Sequence, residues 1–359
     1  MGEPSGAGTV GRGGAAGART VAVEEAVGLA LAPDLTEIGP DGGKGAAFRR
    51  GHVVREADLP RLRRCGKEHV FILEIGAGQL HEDEAAVRLA AALCGDGVAA
   101  AGAPREGRVD LAATRDGLLQ VDRAALLDFN LLGEVMCASL HTNTLVRRGQ
   151  RVAGTRAIPL VIGESLVAEA VRRAAGGVLS VREIAPPRIG VVVTGSEVSR
   201  GLVVDRFGPL LERKAAALGG GIVGVHIAPD DEAAIAARLR ELLASGANLL
   251  VATGGMSVDP DDRTRFAADL LGARDVVYGA AVLPGSMCLV AYVPAPGGEV
   301  PLVGLPACAL AHEATVFDLI LPRLLAGERI GRRELAELGH GGLCLRCDAC
   351  RHPICPFGT

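Results

Sequence analysis

The sequence predicts an α/β fold with a mostly parallel sheet over residues 188–327 and a smaller strand-rich N-terminal region before it. Three short apolar runs carry that expectation: RIGVVVT at 188–194, IVGVHI at 222–227 and NLLVAT at 248–253. The first lacks the apolar–polar alternation of half-buried strands, as expected where both faces of a sheet are covered. Helix-length segments separate them. The first runs from about Asp205 to Leu218 and stops at Gly219-Gly220-Gly221, since glycine readily takes the left-handed conformation that ends a helix. The second starts at Pro229-Asp230-Asp231-Glu232, where the helix dipole favours acids. It sets Ile235, Leu239, Leu242 and Leu243 on one face. Strand, helix, strand, helix, strand at this spacing makes a right-handed parallel sheet.

Residues 21–187 predict an α+β region with barrel-like strands. VEEAVGLALAPDL at 23–35 reads as a helix leading into a strand. HEDEAAVRLAAALCG at 81–95 reads as a helix with an acidic first turn and Gly95 as its stop. VRRGQRVAGTRAIPLVI at 146–162 alternates like short barrel strands. Pro186-Pro187 mark the boundary with the α/β part. Residues 1–20, rich in Gly and Ala, are expected to form a disordered tail. Residues 328–359 are expected to form a Cys-rich C-terminal tail.

Composition narrows the function. Apolar residues make up 49% of the 359, aromatics only 3%, and Trp is absent, so Ala, Val, Leu and Ile build the core. A net charge of −4 gives no basis for non-specific binding to nucleic acid or an anionic membrane. The longest uncharged stretch, 276–293, is broken by Pro284-Gly285 and reads as two strands rather than a membrane span. The first twenty residues carry no apolar segment of a secretory signal, and the nine cysteines are odd in number. Both features predict a reduced, cytoplasmic chain. Cys65, Cys94, Cys137, Cys288 and Cys308 stand in apolar surroundings and read as small core residues.

Ligands of open α/β sheets bind beyond the carboxyl ends of the strands. Two loops lie there: TGSE at 194–197 and TGGMSVDPDD at 253–262. Backbone N–H groups of such glycine-rich turns hold anions, and Ser257 adds a hydroxyl. One helix terminus contributes only about 0.3–2 kcal/mol, whereas micromolar binding needs roughly 8, so several loops must converge. Glu197 and Asp262 are candidates to hold Mg²⁺ and act in catalysis, with ligand oxygens and water completing the octahedron. The plainer alternative is turn glycines and an Asx helix cap at Asp261 or Asp262.

In order, TGSEV, VHIAPDD, VATGGMSVDPDD, VLPGSM and VGLPACALAHEATVFDLILPRLL resemble the molybdopterin-binding domain of molybdopterin adenylyltransferases, molybdopterin molybdotransferases and gephyrin. The resemblance covers 188–325, about two fifths of the chain. The KGAAFRRGHVVREADLPRL opening and Cys-rich ending bring the whole chain closer still to molybdotransferase-like, molybdopterin-binding proteins. The resemblance implies a three-layer α/β/α domain, molybdopterin (free or adenylated), Mg²⁺ and molybdate. It carries site roles onto Thr194, Gly195, Ser196, Glu197, Asp230 or Asp231, Gly254, Gly255, Ser257, Asp262, Pro284 and Gly285. Departures accompany it. Ser196 stands where molybdotransferases carry Asp, Leu283-Pro284-Gly285-Ser286-Met287 lacks their lysine, and Leu305-Pro306-Ala307-Cys308-Ala309 replaces their LPGNP turn. Their Asn-Ser-Ala-Met-Asp-Gly-Tyr segment has no counterpart. Each lost charge-assisted contact weakens phosphate binding by about 1.5–3 kcal/mol. Lys44, Arg49 and Arg50 are candidates to restore that charge from a partner subunit's small domain.

Cys344, Cys347, Cys350 and Cys355 crowd into twelve residues. Four thiolates suit tetrahedral Zn²⁺, and the spacing with trailing Pro356 approaches an iron–sulfur run with one residue too many. His340 and His352 are reserve ligands. His81 does not open an HExxH motif, because position 85 is Ala, and it reads as a surface or capping residue. The expected function is therefore molybdenum-cofactor biosynthesis, as a molybdotransferase or a pterin carrier, in a homo-oligomer. Two alternatives stand beside it. One is a Mg²⁺-dependent nucleotide pyrophosphatase of the competence-damage-inducible type. The other is a non-catalytic scaffold that delivers the cofactor to a molybdenum hydroxylase.

Overall fold

A computed structural model of the chain describes residues 18–38, 44–73, 75–255 and 264–358. The chain divides into two compact units. The first comprises residues up to 115 with 119–140 and 146–181; the second comprises 116–118, 141–145 and 182–359.

The second unit is built on a six-stranded sheet in the order Gly221–Ala228, Arg188–Thr194, Leu249–Thr253, Gly298–Leu305, Leu289–Ala295, Arg274–Tyr278. The first four strands run parallel. The last two join antiparallel, and they are the two strands read from the 276–293 stretch. Alternate residues of each strand enter opposite cores, as the two-residue period of a strand requires. Ile189, Val191, Val193, Leu249 and Val251 join one core with the helices Phe207–Ala217 and Val316–Leu325. Val192, Leu250 and Ala252 join the other with the helices Glu232–Ala244 and Thr264–Leu270. Helices thus cover both faces, and the unit is a three-layer α/β/α sandwich. Residues 328–359, expected as a tail, pack into this unit: Ile330, Leu335 and Phe357 are buried in the first of these cores.

The first unit pairs most of its strands antiparallel and has two cores. One gathers Val21, Val23, Leu31, Phe48, Val54, Leu62, Val70 and Ile72. The other packs the Glu82–Leu93 helix, through Ala86, Leu89 and Leu93, among Leu111, Val135 and Val152. Those last residues lie in a sheet of the order Val98–Ala100, Arg108–Ala113, Arg151–Ala157, Val135–Ser139. Two expectations need correction here. The helix expected to open the 23–35 segment is a single 3-10 turn, Val23–Ala26, and a strand follows at Leu35–Ile38. Gly28 at φ +83° and the bridge Ala30↔Val53 end the helix, because the chain turns to pair with its neighbours. The expected disordered tail at 1–20 ends early, since Ala18–Ala22 is a strand paired with His69–Leu73. Burial of Val21 and Val70 rewards that pairing. Residues 1–17 lie outside the described residues. No helix among those described is long and apolar enough to cross a membrane.

Candidate functional site

Strand register puts most of the predicted site residues on one edge of the six-stranded sheet. Thr194 pairs with Ala228, Val193 with Thr253, and Thr253 with Leu305. Four parallel strands therefore end level, and the loops after Thr194, Ala228, Thr253 and Leu305 leave from the same edge. Leu289 pairs with Gly304, so Pro284 and Gly285, just before that strand, belong to the same side. Gly195 follows at φ +136° and leads into the short helix Ser196–Ser199, which starts with Ser196 and Glu197. Ser257, Asp262 and the carboxylate of Glu197 lie outside the described residues and side chains.

The edge is tied together by hydroxyls. Thr194 Oγ1 donates to the Thr253 carbonyl at 2.9 Å and lies 3.1 Å from Thr264 Oγ1. All three threonines are buried, and Thr253 Oγ1 has no hydrogen-bond partner among the described residues. Sequence reasoning missed Thr253 and Thr264. The repeated Thr-Gly dipeptide at 194–195 and 253–254 was the available signal for the first. Gly254 and Gly255 sit at φ +81° and +56°. A Cβ on Gly254 would lie 2.7 Å from the Thr194 carbonyl oxygen, and one on Gly255 would lie 2.5 Å from Thr264 Oγ1. Their missing side chains serve the close packing of the two loops first, whatever ligand then sits above.

Asp231 caps the Glu232–Ala244 helix, its Oδ1 accepting from Ala234 N at 2.8 Å. The cap commits one of its oxygens. Gly285 stands at φ +127°, and a Cβ there would come 2.5 Å from Val316 Cγ1. The Val316 amide donates to the Pro284 carbonyl at 3.2 Å. Pro284-Gly285 thus packs on the start of the Val316–Leu325 helix, where Thr315 and Asp318 form a capping box. Asp318 also pairs with Lys214, whose Nζ donates to the Glu313 carbonyl at 2.9 Å. This half-hidden cation lies 104 residues from its partner in sequence, so no local motif announced it.

The segment carrying the last four cysteines is strapped to the same loop. Leu283 N donates to the Gly342 carbonyl, and Cys344 N donates to the Leu283 carbonyl. Cys344 and Cys355 pack against the core, while Cys347 and Cys350 are exposed. Cys350 and His352 line a cavity of about 430 Å³ with Glu313 and Ala314. Burial holds the His352 imidazole below its ordinary value, with Asp318 opposing. Among the described residues, no group of three or more His, Cys, Asp or Glu is placed to hold a metal ion. The four thiols are not assembled as one ligand set. The five remaining cysteines are free, with Cys137 and Cys288 fully buried. Burial pushes both of those thiols up to about 12. His81, read as a capping residue, does cap the Glu82–Leu93 helix and is buried.

Residues 20–74 match a family described as a domain of unknown function, and residues 190–326 match one described as a probable molybdopterin binding domain. A CinA-like protein of Mycolicibacterium vanbaalenii is 37% identical over 95 residues, 26% of this chain and 22% of that protein. One of Mycobacterium sp. (strain MCS) is 43% identical over 90 residues, 25% of this chain and 21% of that protein. The chain therefore spans under a quarter of the length of these curated relatives. Among solved structures, the tungsten cofactor synthesizing protein MoaB from Pyrococcus furiosus is 20% identical with a TM-score of 0.33. That match covers 40% of this chain and 98% of that one. The segment matched by the second family, residues 190–326, is the one that supplies the level strand ends and their loops.

Proposed function

We propose that the chain binds molybdopterin, free or adenylated, on the carboxyl edge of the six-stranded sheet and serves molybdenum-cofactor maturation as a molybdotransferase or a pterin carrier. One observation carries the reading: the molybdopterin-binding match falls on the unit whose strands end level at Thr194, Ala228 and Thr253. The buried, unpartnered Thr253 hydroxyl fits a group seated there, since a buried hydroxyl without a partner is costly. Loop amides near Gly195 and Gly254, with Ser257, would hold the phosphate, and Mg²⁺ at Glu197 and Asp262 would screen its charge. Zn²⁺ or an iron–sulfur cluster at Cys344, Cys347, Cys350 and Cys355 belongs to the same proposal. The described geometry does not gather those thiols. Metal analysis of the purified protein tests both ions. A cytoplasmic setting, a homo-oligomer and a molybdenum hydroxylase as recipient of the cofactor complete the reading.

The likeness to CinA-like proteins favours a second reading, a Mg²⁺-dependent nucleotide pyrophosphatase. A hydrolysis screen over dinucleotides and sugar nucleotides separates the two. Turnover without pterin binding selects the pyrophosphatase; pterin binding without turnover selects the molybdenum-cofactor role.

A further inference from the structure

The first unit carries a cavity that the reading above does not use. It measures about 530 Å³, and its wall includes Phe48, Arg49, Arg50, His52, Asp58 and Arg61. That volume is in the range of small-molecule sites, roughly 300–1,000 Å³. Three guanidinium groups within thirteen residues of sequence would repel one another, and each is managed differently. Arg50 Nη1 is held by Asp83 and by His81 Nδ1 at 2.8 Å. Arg61 Nε donates to Glu37 at 3.0 Å, and its guanidinium lies 5.3 Å from the centroid of the Phe48 ring. Arg49 has no acidic partner among the described residues. Arg50 and Arg61 each keep an Nη2 end uncommitted among those residues, because a guanidinium has five donors and the fixed contacts use one nitrogen. His52 is pinned as well, its Nε2 lying 2.7 Å from Asp58 Oδ2 and its ring centroid 5.0 Å from that of Phe48.

Two of the three donors, Arg50 and Arg61, are fixed before a ligand arrives, which lowers the ordering cost of binding. A carboxylate saturates one guanidinium fork, whereas a phosphate dianion accepts from several at once. The Phe48 and His52 rings, inclined at 46° to each other, form an aromatic corner beside those donors. We infer that this cavity binds a phosphate-bearing small molecule, with Arg49, Arg50 and Arg61 on the phosphate and the Phe48–His52 corner against its organic part.

Calorimetry on the full chain, in buffer with a metal chelator, tests this with inorganic phosphate, pyrophosphate and acetate. The expected result is saturable binding of phosphate and pyrophosphate, with acetate weaker. Arg49→Gln, which removes no internal contact among the described residues, should weaken phosphate binding about ten- to a hundredfold, the worth of one charge-assisted contact. Arg61→Gln should do the same. Arg333→Gln, an exposed arginine paired with Glu337 in the second unit, should bind as the wild type does. Wild-type phosphate affinity in both Arg49→Gln and Arg61→Gln overturns the inference. So does an absence of saturable binding, or acetate binding as tightly as phosphate. Arg61 is not among the residues expected to reach the pterin phosphate, so the Arg61→Gln outcome is read separately from pterin binding by the second unit.

Discussion

The two units gather polar groups by different physical means. In the second, backbone does it: parallel strands end in register, and Thr194, Thr253, Gly254 and Gly255 meet because their strands do. In the first, side chains do it: Arg50, His52 and Arg61 are aimed by Asp83, Asp58 and Glu37. The difference teaches where the sensitivity of each candidate site lies. An edge made of tightly packed backbone tolerates no added atoms, so its mutations are read in folding. A cavity made of paired charges tolerates neutral substitution, so its mutations are read in binding.

The largest effect tests what the units share, since each buries one thiol deeply: Cys137 in the first, Cys288 in the second. Both thiols are raised from 9.0 to about 12. Their neutral form is the one the fold holds, so this stability is fully present below pH 9. It is lost as pH rises through about 12, because the unfolded chain gives up its thiol protons first. Unfolding free energies from denaturant titration should fall over that window, by on the order of 4 kcal/mol per thiol. The fall should be shallower in Cys288→Ala and in Cys137→Ala. Equal slopes in all three proteins would remove the thiols from the account.

Glycine substitution separates the units next. Gly254→Ala adds a left-handed residue and a Cβ 2.7 Å from the Thr194 carbonyl oxygen, and should cost about 2–4 kcal/mol. Gly51→Ala has a similar φ of +76° but meets nothing within 4 Å, and should cost only about 1–2 kcal/mol. Equal losses in urea unfolding would break the comparison. A last pair of variants concerns acids. Asp318→Ala removes a helix cap and the partner of a mostly buried lysine, for about 2–3 kcal/mol. Asp58→Asn removes a partly exposed pairing with His52 and should cost no more than about 1 kcal/mol. The His52 hydrogen bond holds the Asp58 carboxyl below its usual value. Its contribution is therefore present above the ordinary carboxylate range and lost as pH falls through the lowered one. Thermal midpoints between pH 2 and 5 check the sign.

The same contrast decides what could be read from the sequence. Arg188–Thr194, Gly221–Ala228 and Leu249–Thr253 are short, continuously apolar runs between amphipathic helices, a pattern with few other solutions. Their loops were legible for the same reason, since chain direction puts them on one edge. The glycines and Thr194 were legible as site residues, but Thr253 and Thr264, which pack with them, were not. In the first unit the pattern is diluted by Ala and Gly, and Val23–Ala26 took the form of a turn because long-range pairing overrode local helix preference. Arg50 with Asp83, 33 residues apart, and Lys214 with Asp318, 104 apart, are products of topology. No spacing in the chain encodes them. The cysteine spacing was conspicuous in the sequence, yet Cys347 and Cys350 are exposed while Cys344 and Cys355 lie against the core.

The central claim is that the carboxyl edge of the second unit holds a molybdopterin with the help of Mg²⁺. The most direct test is a titration of the full-length protein with molybdopterin and with its adenylated form, each with and without Mg²⁺. The wild type and the Glu197→Gln and Asp262→Asn variants are compared. The account predicts saturable binding strengthened by Mg²⁺ in the wild type and a largely lost Mg²⁺ response in each folded variant. The double variant should add little, since one ion serves both carboxylates. No detectable binding of either pterin, in an assay where a related molybdotransferase binds, would contradict it.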